Sequence, residues 1–289
     1  MTDIVNIEQS KAIYQIGFGG FGKIFLCQDD KGKHFVSKQI ESETSFLNEL
    51  KVYHNLLEET EYFPKFYNYF NGDIKKCIFM ENCQEDLKTI LDKREKICNE
   101  MFVLHISKGL QVLKQKNIIH CDLKPGNILY DAKSDLFKIC DFGISCFDDK
   151  KKHYPVQTMY YRAPEVIVRK PYSFSIDIWS FGCIIYEILY HQILFHHLLE
   201  EQCFLSMMVK IGMPPEDLYS DFYQRNIRYE KGSPVLQKCS QLSDTTIYNN
   251  EIRLKISRED RIVKRCLKWN PADRITPEKI VKMYQSSNS

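Results

Sequence analysis

An excess of either charge is missing from this chain: 40 Lys and Arg face 38 Asp and Glu, for a formal net charge of +2. So balanced a chain creates no overall field for a polyanion or an anionic bilayer, and neither nucleic acid nor membrane is an expected partner. Long apolar runs are missing too, none approaching the roughly 20 residues that cross a bilayer. The opening residues, MTDIVNIEQS, lack the basic stretch and apolar core expected of a secretory leader. No internal repeat and no low-complexity tract interrupts the sequence. Cysteine, by contrast, is plentiful at 11 residues. The count is odd, the spacings are scattered and no CxxC pair occurs. The thiols therefore read as the reduced ones of a cytoplasmic or nuclear protein.

What is present suits a globular chain. Its 289 residues, 44% hydrophobic, are enough for one large or two smaller domains with a real core. Residues 12 to 38 read as strands, their β-rich runs broken by a glycine cluster and by DDKGK. Residues 44 to 57 have helical spacing, with Phe46, Leu47, Leu50, Tyr53 and Leu57 on the apolar side. KKCIFMENC is a further short strand. After residue 85 helices dominate. Phe102, Val103, Ile106, Leu110 and Leu113 form one face, and Asn117 is placed to end that helix in the left-handed conformation. SIDIWSFGCIIYEIL, residues 175 to 189, is apolar nearly all round and belongs in a core. Strands first and helices afterwards indicate an α+β fold, with the change near residue 84.

Three motifs carry chemistry. GFGGFGK places Gly17, Gly19 and Gly22 so that backbone amides can approach phosphates closely; an ordinary glycine-rich hairpin would look the same. A dinucleotide-binding turn would lead into a helix, but here a second strand, KIFLCQ, follows. Lys38 comes one hairpin later, where it either faces solvent or returns beneath the loop to hold phosphate oxygens. The third motif is IIHCDLKPGNIL, residues 118 to 129, in which His120, Asp122, Lys124 and Asn127 sit between apolar flanks. Burying an unpaired neutral polar group costs roughly 2–7 kcal/mol, so such a cluster requires a function or full pairing. Downstream, KICDFGI sets Asp141 at the end of a short apolar strand. Carboxylate and amide oxygens of this kind suit a hard cation such as Mg2+ that keeps water and phosphate ligands; a pair of capped turns is the plainer alternative.

In this order the motifs resemble the eukaryotic protein kinase family, and the resemblance spans about residues 11 to 284. It implies a bilobal α+β domain, with a β-rich N-lobe over about 11–83, a helical C-lobe over about 84–284, and short tails at 1–10 and 285–289. It also implies ATP and Mg2+ as cofactors, protein substrates as partners, and a monomer. Gly17, Gly19 and Gly22 would cover the phosphates, with Phe21 at the loop tip and Ile16 and Ile24 in the ATP-binding set. Lys38 would bind the α- and β-phosphates, with Glu49 as its helix partner. Met80 corresponds to the gatekeeper, Glu81 and Cys83 to the hinge, and Asp86 to a ribose contact. Asp122 corresponds to the catalytic base and Lys124 to the residue steadying the transferring phosphoryl. Asn127 and Asp141 would hold magnesium. Glu165 and Arg274 would form a buried ion pair, Asp177 would brace the catalytic loop, and His120 would be a packed core residue.

Within the family, QTMYYRAPEVI and EEQCFLSMMVKIGMPP resemble the CMGC group, which contains the cyclin-dependent, mitogen-activated and dual-specificity tyrosine-regulated kinases. Cysteine instead of arginine in HCDLKP is most like the last of these. The resemblance gives Arg162 a role in favouring proline after the target Ser or Thr. Lysine in DLKPGN points to Ser/Thr rather than Tyr transfer, and RAPE fits a peptide platform better than a small-molecule kinase. A pseudokinase scaffold is the main alternative, although Lys38, Asp122, Asn127 and Asp141 are all present.

Some positions depart from the pattern. Cys121 cannot grip a phosphorylated loop as an arginine would. The paired loop tyrosines of tyrosine-regulated kinases fall on His153 and Pro155, with Tyr154 one place out of register, and Met159 replaces a second arginine. The accessory box of those kinases would not fit ahead of Gly17, and Val36, where the family often has alanine, would narrow the adenine pocket. Residues 216 to 258 fall where the group carries an insert. The expectation is constitutive activity or an altered use of Tyr154, unless Tyr154 is simply a solvated loop residue. Mass spectrometry of active protein checks this: full activity with unmodified Tyr154 removes the switch.

Overall fold

The computed structural model describes residues 7, 10–19, 22–59, 61–148, 154–230, 233–236 and 257–285. The chain divides into two compact units, one of residues 1–150 with 277–289 and one of residues 151–276. In the first unit the elements run β1 (Lys11–Gly19), β2 (Gly22–Gln28), β3 (His34–Ile40), α1 (Glu43–Asn55), β4 (Phe66–Asn71) and β5 (Lys76–Glu81). After them come β6 (Glu85–Asp86), α2 (Leu87–Asp92), α3 (Asn99–Gln115), β7 (Ile118–Ile119), β8 (Ile128–Asp131), β9 (Leu136–Ile139) and β10 (Cys146–Phe147). The second unit holds α4 (Pro164–Ile167), α5 (Ser175–Tyr190), α6 (Glu200–Ile211), α7 (Glu216–Asn226), β11 (Ile227–Glu230), β12 (Ser233–Leu236) and α8 (Arg258–Cys266). Helix α9 (Pro277–Gln285) returns to the first unit.

The strand-rich start forms one antiparallel sheet in the order β1-β2-β3-β5-β4. Helix α1 begins where Ser42 Oγ accepts from the Ser45 amide, a side-chain N-cap. Its buried side is Phe46, Glu49, Leu50, Val52 and Tyr53. Leu47, assigned to the apolar face by spacing, is half exposed, because one residue advances a helix by about 100° and carries it off the stripe. Leu57 lies beyond the helix end and is likewise half exposed.

The switch from strands to helices occurs where the sequence places it, but the compact units do not part there. A second sheet, β6-β8-β9, lies wholly after residue 84, and its strand β9 is bonded back to what precedes it. The Ile139 amide donates to Tyr62 O at 2.9 Å. Lys138 reaches Glu81 at 2.6 Å. Helix α3 buries Phe102, Val103, Ile106, Leu110 and Leu113, and past its end Asn117 has φ +55°. Gly109 lets α3 approach β9: a Cβ there would lie 3.0 Å from Ile139 Cδ1 and 3.3 Å from Tyr62 Cβ. Helix α9 packs on α3, with Lys114 3.1 Å from both Glu278 carboxylate oxygens.

In the second unit α5 is buried on almost all sides, as its apolar sequence requires, and α8 packs against it. Arg274 meets Glu165 through two parallel bonds of 2.6 and 2.7 Å, with both residues buried. Arg274 also donates to Lys268 O and Ser175 O, and its guanidinium lies 5.1 Å from the Trp179 ring centroid. Breaking a buried pair leaves one charge uncompensated, at about 3–5 kcal/mol. Glu165→Ala is expected to lower the stability of this unit by that order, read from urea unfolding of the whole chain; a change near zero would show the pair to be dispensable.

Candidate active site

Hairpin β1–β2 closes with Gly19 opposite Gly22; residues 20 and 21, including Phe21, lie outside the described residues. Gly22 has φ +139°, and a Cβ there would fall 1.8 Å from the Gln39 carbonyl oxygen, so no other residue fits. Gly17 pairs with Ile24, and Ile24 stands opposite Lys38 on β3. Ile16, on β1, is nearly half exposed.

The Lys38 side chain is buried and meets two carboxylates. Its Nζ donates to Glu49 Oε1 and Oε2 at 2.9 and 2.7 Å and to Asp141 Oδ1 at 2.7 Å. Burial works against the lysine's charge, but the Glu49 and Asp141 carboxylates outweigh it and push the pKa up. Burial raises the Glu49 carboxyl against the pull of Lys38. Burial also acts to raise Asp141, but Lys38 prevails and lowers it.

Asp122 is buried between strands β7 and β8. Lys124 Nζ donates to its Oδ2 at 2.6 Å, and Asn127 Nδ2 donates to its main-chain oxygen at 2.8 Å and its Oδ2 at 3.3 Å. The cluster that seemed costly in sequence is thus extensively paired. His120 Nδ1 accepts from the Asp122 amide at 3.2 Å, so Nε2 carries the proton and donates to Cys140 O at 2.9 Å. His120 is a packed neutral ring, held 5.3 Å from the Phe142 centroid. Cys121 and Asp141 both adopt left-handed backbone, φ +67° and +68°, a strained conformation for non-glycine residues. Cys121 Sγ lies 3.4 Å from Cys146 Sγ.

Met80 is buried opposite Val36 and receives the Tyr53 hydroxyl at 3.6 Å from its sulfur. Glu81 Oε2 is bound by Lys138 and by the Lys65 amide at 3.1 Å. Cys83 is buried, and burial pushes its thiol up to about 12. Asp86 caps α2, its carboxylate accepting from the Thr89 amide and hydroxyl at 2.9 Å each.

In the second unit Arg162 Nε and Nη2 donate to Gln157 O at 3.2 and 2.8 Å, and its Nη1 meets Glu200 at 2.6 Å. Gln157 has φ +68°, and its side chain is locked by Ser180, Ile176 and Ala163. Asp177 is fully buried in the first turn of α5, and Tyr154 is exposed. Sequence reasoning gave no role to Asn48, to Lys138 at the start of KICDFGI or to Gln157 at the start of QTMYYRAPEVI, and it placed Tyr53 only on the apolar side of its helix.

A family model described as "Protein kinase domain" matches residues 10–284. The chain belongs to the protein kinase family. This kinase domain is 31% identical over 91% of its length to the dual specificity tyrosine-phosphorylation-regulated kinase 2 of Drosophila melanogaster, covering 39% of that protein. It is 30% identical over 94% of its length to the dual specificity tyrosine-phosphorylation-regulated kinase 4 of Homo sapiens, covering 57% of it. It is 30% identical over 90% to the serine/threonine-protein kinase ppk5 of Schizosaccharomyces pombe, covering 34%. By their names, two of these relatives are dual-specificity tyrosine-phosphorylation-regulated kinases and one is a serine/threonine-protein kinase. The chain spans between about a third and somewhat over half of these curated relatives. Among the described residues no helix is long and apolar enough to cross a membrane.

Burial lowers the pKa of His120 from its ordinary 6.5. On unfolding it would take up a proton near that value. Its contribution to stability is therefore full above about pH 6.5 and lost as pH falls towards and below the folded pKa. The melting temperature of His120→Phe is expected to fall less steeply than the parent's between about pH 7 and 5. Equal slopes would remove His120 as a source of the acid sensitivity.

Proposed function

We propose that the chain transfers the γ-phosphoryl group of Mg-ATP to Ser or Thr of protein substrates. The observation that carries this reading is the Lys38 ammonium held at once by Glu49 and Asp141. It fixes a cation on β3, opposite Ile24 of the glycine hairpin, where nucleotide phosphates would be gripped. The working division is an N-lobe over about 11–83 and a C-lobe over about 84–284. Met80, Glu81 and Cys83 would border adenine, and Ile16, Gly17, Gly19, Phe21, Gly22 and Ile24 would cover the nucleotide. Asp86 would reach the ribose on release of its cap.

The donor set fits magnesium. Asp141 offers a carboxylate kept ionised by Lys38, and Asn127 commits its amide nitrogen to Asp122, so its amide oxygen is the atom it can offer. Mg2+ is commonly held by one or two such hard oxygens, with phosphate and water completing the shell. When bound, it would neutralise phosphate charge. The protein's own residues do the remaining work. Asp122 accepts the proton of the acceptor hydroxyl and aims its oxygen at the γ-phosphorus. Lys124, bonded to the same carboxylate, offsets negative charge on the moving phosphoryl.

The acceptor preference is assigned to Arg162. Its guanidinium occupies the Gln157 carbonyl, which is turned towards it by the left-handed backbone. A substrate amide would find that acceptor taken, whereas proline has no N–H to satisfy. This supports Ser/Thr-Pro targets.

Radiolabelled transfer from Mg-ATP to a peptide panel tests the reading. Asp122→Asn should lower turnover by about 10²–10⁴-fold. Asp141→Asn should abolish magnesium-dependent transfer, and peptides with proline after the acceptor should be preferred. Nucleotide binding without transfer would favour a scaffold, and a panel indifferent to proline would remove the assigned role of Arg162.

A further inference from the structure

Asn48 precedes Glu49 in α1, and its side chain turns to the segment that follows Asp141. Its Nδ2 faces three main-chain oxygens: Phe142 O at 3.1 Å, Gly143 O at 3.3 Å and Ser145 O at 2.5 Å. These partners fix the orientation of the amide. Turned over, it would point an oxygen at three carbonyl oxygens, with no hydrogen to share. The segment contributes one turn bond of its own, Ser145 N to Phe142 O at 3.1 Å, and the Ser145 hydroxyl donates to His120 O at 3.0 Å.

Two successive residues of one helix therefore act on Asp141 from different directions. Glu49 holds Lys38, which holds the Asp141 carboxylate. Asn48 holds the backbone immediately after it. That double hold matters because Asp141 has φ +68°, a conformation that persists only where its surroundings enforce it. Asn48 is not among the buried residues of α1, so replacing it empties no core volume. It opens instead on a surface groove of about 580 Å³ lined by Leu47, Lys51 and Ile144 among others.

We propose that Asn48 is a positioning residue, a latch that ties residues 142–145 to α1 and so holds the Asp141 carboxylate ready for magnesium-bound nucleotide. This rests on the kinase reading above. The latch is set by donor chemistry: Asn48→Asp keeps the shape but replaces the donor with an anion facing three carbonyl oxygens, and Asn48→Ala removes the amide without adding a charge.

Three measurements on the full chain test it, with Leu47→Ala as a control on the exposed side of the same helix. Amide hydrogen exchange over residues 142–147 should quicken in Asn48→Ala and more in Asn48→Asp, with the melting temperature close to the parent's. Calorimetric binding of the non-hydrolysable β,γ-imido analogue of ATP should keep its magnesium-free affinity. The gain on adding Mg2+ should shrink by about tenfold in Asn48→Asp, as expected for losing more than one hydrogen bond. In transfer assays kcat should fall more than the KM for peptide rises. Unchanged exchange in both variants overturns the latch, whether or not the parent is a kinase. Quickened exchange with an unchanged magnesium gain overturns the link to Asp141. A parent that binds nucleotide without transferring phosphoryl sinks the kinase reading alone, and the first two measurements still decide the latch.

Discussion

A buried ammonium group loses its hydration and has to recover that energy from neighbouring charges. Lys38 does so with two carboxylates, one from helix α1 and one from the turn after β9. Desolvating each ion costs several kcal/mol, so the arrangement is stable only while all three are in place. The lysine belongs to the five-stranded sheet, Glu49 to the helix beside it, and Asp141 to the end of the three-stranded sheet. One charge cluster therefore sets the relative positions of these parts of the first unit. It also explains why two carboxyl groups of the same chemistry differ. Burial dominates at Glu49 and raises it, while at Asp141 the pull of Lys38 wins and keeps it ionised.

An apolar column stands beside this charged cluster. Phe142, next to Asp141, is fully buried against Tyr53 at 5.4 Å, Phe63 at 6.0 Å and His120 at 5.3 Å between ring centroids. Tyr53 stacks in turn on Phe66. Asp141 and Phe142 thus fasten the same turn by opposite means, one by charge and one by desolvated aromatic area. The left-handed backbone at Asp141 is what allows adjacent residues to point into such different surroundings.

The motifs carried much of the site. Glycine spacing, Lys38, Asp122, Asn127 and Asp141 were legible as candidates because the proposed phosphate and magnesium chemistry would constrain their types and order. Lys38 and Glu49 are close enough in sequence to be paired by a strand followed by a helix. Asn48 and Gln157 were not legible. Asn48 serves carbonyl groups nearly a hundred residues away, and any polar residue would look equally natural at the edge of a helix. Gln157 matters through its main-chain oxygen, which every residue possesses. Lys138 reads as an ordinary strand lysine until its partner Glu81 is found across the fold.

By itself the sequence determined the order of strands and helices, the buried character of α5 and the chemistry of the motif residues. Those properties follow from local periodicity and from side-chain type. Only the tertiary structure decided which carboxylates share Lys38, that His120 is a neutral packed ring, and that Asn48 faces the turn after Asp141. It also placed the limits of the compact units away from the change at residue 84. These depend on distances between residues far apart in the chain. Such distances are set by the packing of whole elements and leave no repeating mark in the sequence.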